Sequence, residues 1–239
     1  MTKKALTVCA AMVCVMVMVG NHTVIAEEEA PSISGWLRTD TDGLGTQIWF
    51  GATHPLSGVD IASDIYVVGA TAEFDIGPSL TVVETDANSL SVLPMVGLAF
   101  DFEALNLTTL VPQFYTYVTV GSIYFESWIQ GFLSSPFDDT AFDNTDTLYT
   151  RNFALYAISD VISIGPQVEL TLNLEDETAG AGAKAVKLDA VATLAIGGRI
   201  NLGYGENNTL GLFVGYETKE EARGDGDGVV GRFTFIRNW

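Results

Sequence analysis

The stretch "QVELTLNLE", residues 167–175, sets Val168, Leu170, Leu172 and Leu174 on one parity and Gln167, Glu169, Thr171, Asn173 and Glu175 on the other. Successive side chains of an extended chain point to opposite faces, so as a strand this segment is greasy on one side and polar on the other. A helix would instead bring its apolar positions back every three or four residues.

The same alternation continues outward from this point. In "VKLDAVATLAIGGRINLGY" (186–204), Leu194, Ile196, Ile200 and Leu202 share one parity, while Lys187, Asp189, Thr193, Arg199 and Asn201 share the other. "TLGLFVGYE" (209–217) opposes Leu210, Leu212, Val214 and Tyr216 to Gly211, Gly215 and Glu217. "TQIWFGAT" (46–53), "LPMVGLAFDF" (93–102) and "SIYFESWIQ" (122–130) repeat the pattern, whereas "LYTRNFALYAI" (148–158) mixes its faces. Glycine on the polar face beside bulky residues on the other suits a small barrel interior, where inward side chains compete for space.

Composition agrees with a membrane setting. Mean hydropathy is +0.28 with only 17% charged residues, yet past residue 26 no run of about 18 apolar residues exists to make a spanning helix. The remaining way to satisfy the backbone in lipid is a closed barrel of strands. The expected fold is therefore all-β, a transmembrane antiparallel up-and-down β-barrel.

Residues 1–26 read as an export signal, with Lys3 and Lys4 before the apolar run Ala5–Val19 and the small-residue site Val24-Ile25-Ala26. Residues 27–239 form the barrel domain. Cys9 and Cys14 leave with the signal, which excludes disulfides, thiolate metal sites and a cysteine nucleophile from the mature chain. A formal charge of −19, made more negative by loss of the two lysines, argues against nucleic acid as a partner.

Twelve strands are expected, near 33–41, 45–54, 62–75, 79–85, 90–102, 107–119, 122–133, 147–158, 161–174, 184–203, 208–218 and 229–239, with ten as the alternative count. With the N-terminus inside, odd connections face outward, and the long ones at 134–146, 176–183 and 219–228 are the seventh, ninth and eleventh. The connection 55–61 is longer than an inner turn should be.

The segment "GRFTFIRNW" (231–239) puts Phe233, Phe235 and Trp239 on one parity and Arg232, Thr234, Ile236 and Asn238 on the other. It resembles the C-terminal signature of bacterial outer-membrane β-barrel proteins, an aromatic last residue behind alternating apolar positions, from which it departs at Arg237. The resemblance is to a porin-like architecture, not to one family. It implies a Gram-negative outer membrane, surrounding lipids and lipopolysaccharide, and recognition of the last strand by the barrel-assembly machinery.

Catalytic and metal-binding patterns are sparse. Past the signal His54 is the one histidine, in "GATHPLSG", with Ser57 and Asp60 near it in sequence; a hydrolase built on it ranks below a turn or interface histidine. "DTDGLG" (40–45) and "GDGDG" (224–228) have calcium-like Asp spacing without the distal Glu, and turn chemistry explains them better. The loop acids Asp138, Asp139, Asp143 and Asp146 are suited to divalent cations shared with lipopolysaccharide, or to simple hydration. "TAGAGA" (178–183) reads as a flexible loop. No cofactor, metal site or enzymatic activity is expected.

The polar parity carries Glu73, Asp75, Asp101, Glu126, Glu169, Asp189 and Glu217 against Lys187, Arg199 and Arg232, with Arg151 as an additional candidate. These groups either line a water-filled bore or pair across it and seal it, helped by Trp49, Trp128, Tyr115 and Tyr117. The leading expectation is a porin-like channel for small polar solutes with some cation preference, its pore lined by Glu126, Gln130, Glu169, Asp189, Arg199 and Arg232. The alternative is a closed structural or surface-interaction barrel.

Overall fold

The structure, a computed structural model, describes residues 33–134, 136–137, 145–179, 185–224 and 226–239. The proposed signal at 1–26 and most of the acidic 134–146 loop, with Asp138, Asp139 and Asp143, lie outside the described residues, as does part of "TAGAGA".

The elements run β1 (Ser34–Asp42), β2 (Gly45–Leu56), β3 (Val59–Val68), β4 (Thr71–Glu84), β5 (Asn88–Asp101), β6 (Asn106–Val120), β7 (Ile123–Phe132), β8 (Thr147–Ala157), β9 (Ile162–Asn173), β10 (Glu177–Ala179), β11 (Ala185–Lys187), β12 (Val191–Tyr204), β13 (Asn208–Glu217), a single turn of helix α1 (Glu220–Arg223) and β14 (Val229–Asn238). Twelve of the strands close into a barrel in the order β1-β14-β13-β12-β9-β8-β7-β6-β5-β4-β3-β2. Apart from the β10–β11 hairpin, which sits in the connection between β9 and β12, each strand pairs antiparallel with its sequence neighbours. The expected up-and-down barrel of twelve strands is what forms.

An even strand number brings both ends of the ring to one side. β1 pairs with β14 from Trp36↔Asn238 to Thr41↔Phe233, and Gly35 and Trp239 exchange two backbone hydrogen bonds of 3.0 Å, each amide donating to the other's carbonyl. The Trp239 ring lies outside, 5.6 Å from the Phe50 ring. It also covers Gly35, where a Cβ would stand 2.5 Å from the indole. At this terminal end the connections are tight, as at Ser57-Gly58 and Gly121-Ser122. The longer connections 133–146, 174–190 and 218–228 gather at the opposite, loop end.

The outer surface explains why such a barrel belongs in lipid. Phe50, Ile65, Phe74, Leu98, Ile196, Leu212 and Phe233 are exposed while Gln47, Asp64, Glu73, Gln167 and Arg199 are buried. That inverts a soluble protein, because each large apolar side chain gains roughly 1.5–3 kcal/mol on leaving water and the closed ladder leaves no strand edge to hydrate. No described helix is long and apolar enough to cross a membrane.

Three strand boundaries differ from the sequence expectation. The turn between β3 and β4 falls at Gly69-Ala70, and Gly77-Pro78 sits inside β4. The 55–61 connection shrinks to Ser57-Gly58 because β2 and β3 both extend into it. The segment expected as one strand over 184–203 divides, its first part pairing as β11 with β10 above the barrel and only β12 joining the wall.

Candidate functional site

The site is the lumen, and strand parity builds it. Arg38 and Asp40 point inward from β1, Glu126, Trp128 and Gln130 from β7, Arg151 and Phe153 from β8, Gln167 and Glu169 from β9, Arg199 from β12, and Arg232 from β14.

At mid-height these groups meet across the bore. Asp40, with no exposed surface, receives Arg151 Nη1 at 2.9 Å, Arg38 Nε at 3.3 Å and Arg232 Nη1 at 3.3 Å. Glu126 takes Arg38 Nη1 at 3.4 Å and lies 3.9 Å from Arg151 Nη2. β7 and β8 stand across the ring from β1, so these ion pairs bridge opposite walls. Trp128 fills the remaining space, with the Arg151 and Arg38 guanidinium carbons 3.7 and 4.4 Å from its ring centroid, a cation–π arrangement. Three arginines meet two carboxylates in this layer, and not all of their donors are used: Arg38 Nη2, Arg151 Nε and Nη2 and Arg232 Nε are buried without a hydrogen-bond partner.

The layer divides the lumen into two cavities. The one at the loop end has a volume of about 630 Å³ and is lined by Asp42, Trp49, Tyr66, Glu73, Gln130, Glu169, Glu217 and Arg232 among others. The one at the terminal end has about 390 Å³, with Tyr124, Glu126, Phe153, Arg199 and Asn201 on its walls.

Within the larger cavity, Arg232 pairs with Glu169 at 2.8 Å and with Asp42 at 2.9 Å, and the Tyr149 hydroxyl donates to Glu169 Oε2 at 2.9 Å. Glu217 Oε1 accepts the amides of Leu194 and Lys219, both at 2.8 Å. In the smaller cavity Arg199 donates from Nε to Asn201 Oδ1 at 2.7 Å and from Nη1 to Gln167 Oε1 at 3.1 Å, and lies 4.6 Å from the Phe153 ring centroid. Both oxygen partners are neutral.

A second polar cluster occupies the β3–β6 wall. Gln113 Nε2 donates to Glu73 Oε1 at 2.7 Å and to Asp75 Oδ1. Its Oε1 accepts the Tyr115 hydroxyl and, at 2.8 Å, Gln130 Nε2. Asp64 stands directly opposite Asp75 on the neighbouring strand. Trp49, Tyr115 and Trp128 pack beside this wall as one buried cluster, with Tyr66 and Tyr117 against it.

The residues expected in the lining divide as follows. Glu126, Gln130, Glu169, Arg199 and Arg232 are all on the inner face. Asp189 stands apart. It lies between β11 and β12 at the loop end, exposed, its Oδ2 2.9 Å from Lys219 Nζ. The splitting of the 184–203 segment is what carries Asp189, and Lys187 with it, off the wall. Asp101 serves a turn, accepting the amides of Glu103 and Ala104. Arg38, Asp40, Asp64 and Gln113 are buried polar positions of the inner face that sequence reading missed. Asp40 was absorbed into a turn motif, and a shifted β3–β4 boundary hid the Asp64–Asp75 pairing.

The other motifs have local roles. Asp42 Oδ1 accepts the Leu44 amide at 2.8 Å and Asp227 Oδ1 the Val229 amide at 3.0 Å, as turn residues do. Asp146 Oδ1 accepts the Ser134 amide at 2.9 Å. No three His, Cys, Asp or Glu side chains among the described residues are arranged to hold a metal ion. His54 faces outward from β2, its Nε2 3.0 Å from Ser63 Oγ, while Asp60 belongs to the opposite parity of β3.

No family model and no curated protein sequence matches the chain. Among solved structures it is similar to the KdgM porin, with a TM-score of 0.50 at 10% identity over 86% of this chain and 98% of that one. It is also similar to a protein solved in a study of in-meso crystallization of membrane proteins, with a TM-score of 0.53 at 13% identity over 86% of this chain and 83% of that one. At such identity the likeness is one of fold. The fold is that of the porin-type β-barrels, closed on twelve strands with an apolar belt on its outer face.

Proposed function

We propose that the protein is a narrow passive channel for small polar solutes with a preference for cations. The carrying observation is the pair of cavities, one at each end of the bore and each with charged side chains in its lining, separated by side chains. No strand, helix or described loop enters the lumen between them, and the separating arginines retain unused hydrogen-bond donors, so the layer can exchange partners as a solute passes. In this reading Glu126, Gln130, Glu169, Arg199 and Arg232 line the path, and Asp189 belongs to its mouth.

Cation preference is supported by the larger cavity, where Asp42, Glu73, Glu169 and Glu217 face Arg232. A low-dielectric wall focuses the field of such a cluster and concentrates counter-ions at the mouth. Outer-membrane lipids and lipopolysaccharide surround the belt, and β14 is the strand that assembly machinery engages. The role is transport and not catalysis, since His54 and Asp60 lie on opposite faces of the sheet.

The second reading, a sealed barrel serving envelope structure or surface interaction, is favoured by one fact: Asp40, Arg151, Gln113, Gln167 and Thr234 have no exposed surface. Planar bilayers separate the two. The channel reading expects stepwise currents, with a reversal potential under a KCl gradient displaced toward that of K⁺. Folded protein that inserts and stays silent would establish the sealed barrel instead.

A further inference from the structure

The acids of the larger cavity are not equivalent. Asp42 and Glu169 share an ion pair with Arg232, and Glu217 is engaged by two backbone amides. Glu73 has no base. Behind it stand Asp75, two residues along the same strand, and Asp64, directly across from Asp75. Among the described residues no Lys or Arg forms an ion pair with any of the three. Like charges directly opposite each other on neighbouring strands destabilise a sheet, and buried charge without a partner costs more still. All three are more than nine-tenths buried, and Asp64 Oδ1 has no hydrogen-bond partner at all. The wall makes room for this arrangement: at Gly97 a Cβ would stand 1.9 Å from Asp75 Oδ1 and 3.1 Å from Glu73 Oε1.

Register sets an aromatic wall beside the carboxylates. Trp49, Tyr66 and Glu73 are paired neighbours across β2, β3 and β4, and the Trp49 and Tyr66 ring centroids are 4.4 Å apart. All three line the larger cavity. An anionic acceptor next to aromatic rings is the chemistry that recognises an organic cation, and about 630 Å³ accommodates a small molecule. A bare metal ion fits less well, since the acids do not converge as metal ligands do.

We propose that the larger cavity binds a small organic cation bearing a primary ammonium group, its head on Glu73 with Asp75 and Asp64 behind and its carbon chain along Trp49 and Tyr66. This rests on the reading of that cavity as the cation-selective mouth of a channel, and names the solute class it selects.

The test uses full-length protein folded in detergent and follows intrinsic tryptophan fluorescence during titration with n-butylamine at neutral pH, with 1-butanol, sodium butyrate and calcium chloride as comparison probes. Butylamine alone is expected to give a saturable change. Glu73→Gln is expected to weaken it by roughly tenfold or more, the usual cost of losing a charged hydrogen-bond partner, and Asp64→Asn by a smaller factor. Both variants relieve repulsion, and a retained β-sheet circular dichroism spectrum shows that they fold. Equal responses to butylamine and butanol, a response to calcium in place of butylamine, or butylamine binding unchanged in Glu73→Gln would each overturn the proposal. Because binding is read without any current, its failure is distinct from failure of the channel reading. Bilayers silent beside saturable butylamine binding leave this site standing, and cation-selective currents without it remove the site alone.

Discussion

Asp40 is the residue on which the lumen closes. It holds three arginines from three strands, and its own surface is fully buried. Removing one member of a buried ion network leaves the others as uncompensated charge, which costs on the order of 3–5 kcal/mol. Asp40→Asn keeps the shape and removes the charge, so it is expected to lower the unfolding free energy of the barrel by about that amount, read as a lower urea midpoint. An unchanged midpoint would mean that the layer is hydrated enough to absorb the loss. At the loop end the Asp189–Lys219 pair works under other rules. Lys219 donates to Asp189, which holds the Asp189 carboxyl below its ordinary value and lifts the Lys219 ammonium above its own. The depressed acid contributes above its unfolded pKa and is lost as pH falls through the folded one; the raised base contributes below its unfolded pKa and is lost as pH rises. The contact is therefore complete between roughly pH 4 and pH 10 and opens on either side. As an exposed pair it is screened, so the expected sign is local: amide exchange of residues 187–190 and 218–220 rises outside that window, and Lys219→Ala abolishes the dependence.

At the scale of the strand, β4 shows why some boundaries resist reading. Gly77-Pro78 looks like a chain reversal, yet both residues sit in the ladder opposite Ala62 and Ile61. Gly77 is there for a tertiary reason: a Cβ at that position would stand 2.0 Å from the Pro94 carbonyl oxygen, so the backbones of β4 and β5 approach where only glycine fits. Gly77→Ala is accordingly expected to destabilise the barrel by about 1–3 kcal/mol through forced backbone movement, measured as a lower unfolding midpoint, whereas Gly43→Ala, with open space around its Cβ, should leave it unmoved. Strands whose two faces see lipid and water were legible because the period of two is a local property. β9, β13 and β14 follow their parity from the sequence residue by residue. What stayed hidden depends on partners distant in the chain. Asp40 meets Arg151 over 111 residues, and Asp64 meets Asp75 only once the Gly69 turn, rather than Gly77-Pro78, reverses the chain. The lining residues on secure strands fell on the inner face, while Asp189 did not, because the hairpin of β10 and β11 interrupts its strand.

For the whole molecule the question is what a twelve-stranded ring does with an interior that is wider than eight strands can fill and narrower than an open porin. Among the described residues it is long side chains, and no loop or helix, that occupy the bore. Arg151 reaches from β8 to Asp40 on β1, stacks on Trp128 and has no exposed surface, which makes it the main part of the obstruction. Arg151→Ala removes its share of that bulk and is expected to widen the bore there. It also leaves Asp40 paired with Arg38 and Arg232, so the acid is not stranded. If the bore is a channel throttled by side chains, Arg151→Ala should insert normally and raise single-channel conductance several-fold. It should also strengthen cation preference, because one positive charge has left the narrowest layer. The conservative Arg151→Lys should fall between, since it keeps the charge but cannot reproduce the planar fork over Trp128. Wild-type and Arg151→Ala conductances that coincide would show that the restriction lies elsewhere, outside the Asp40–Arg151 layer.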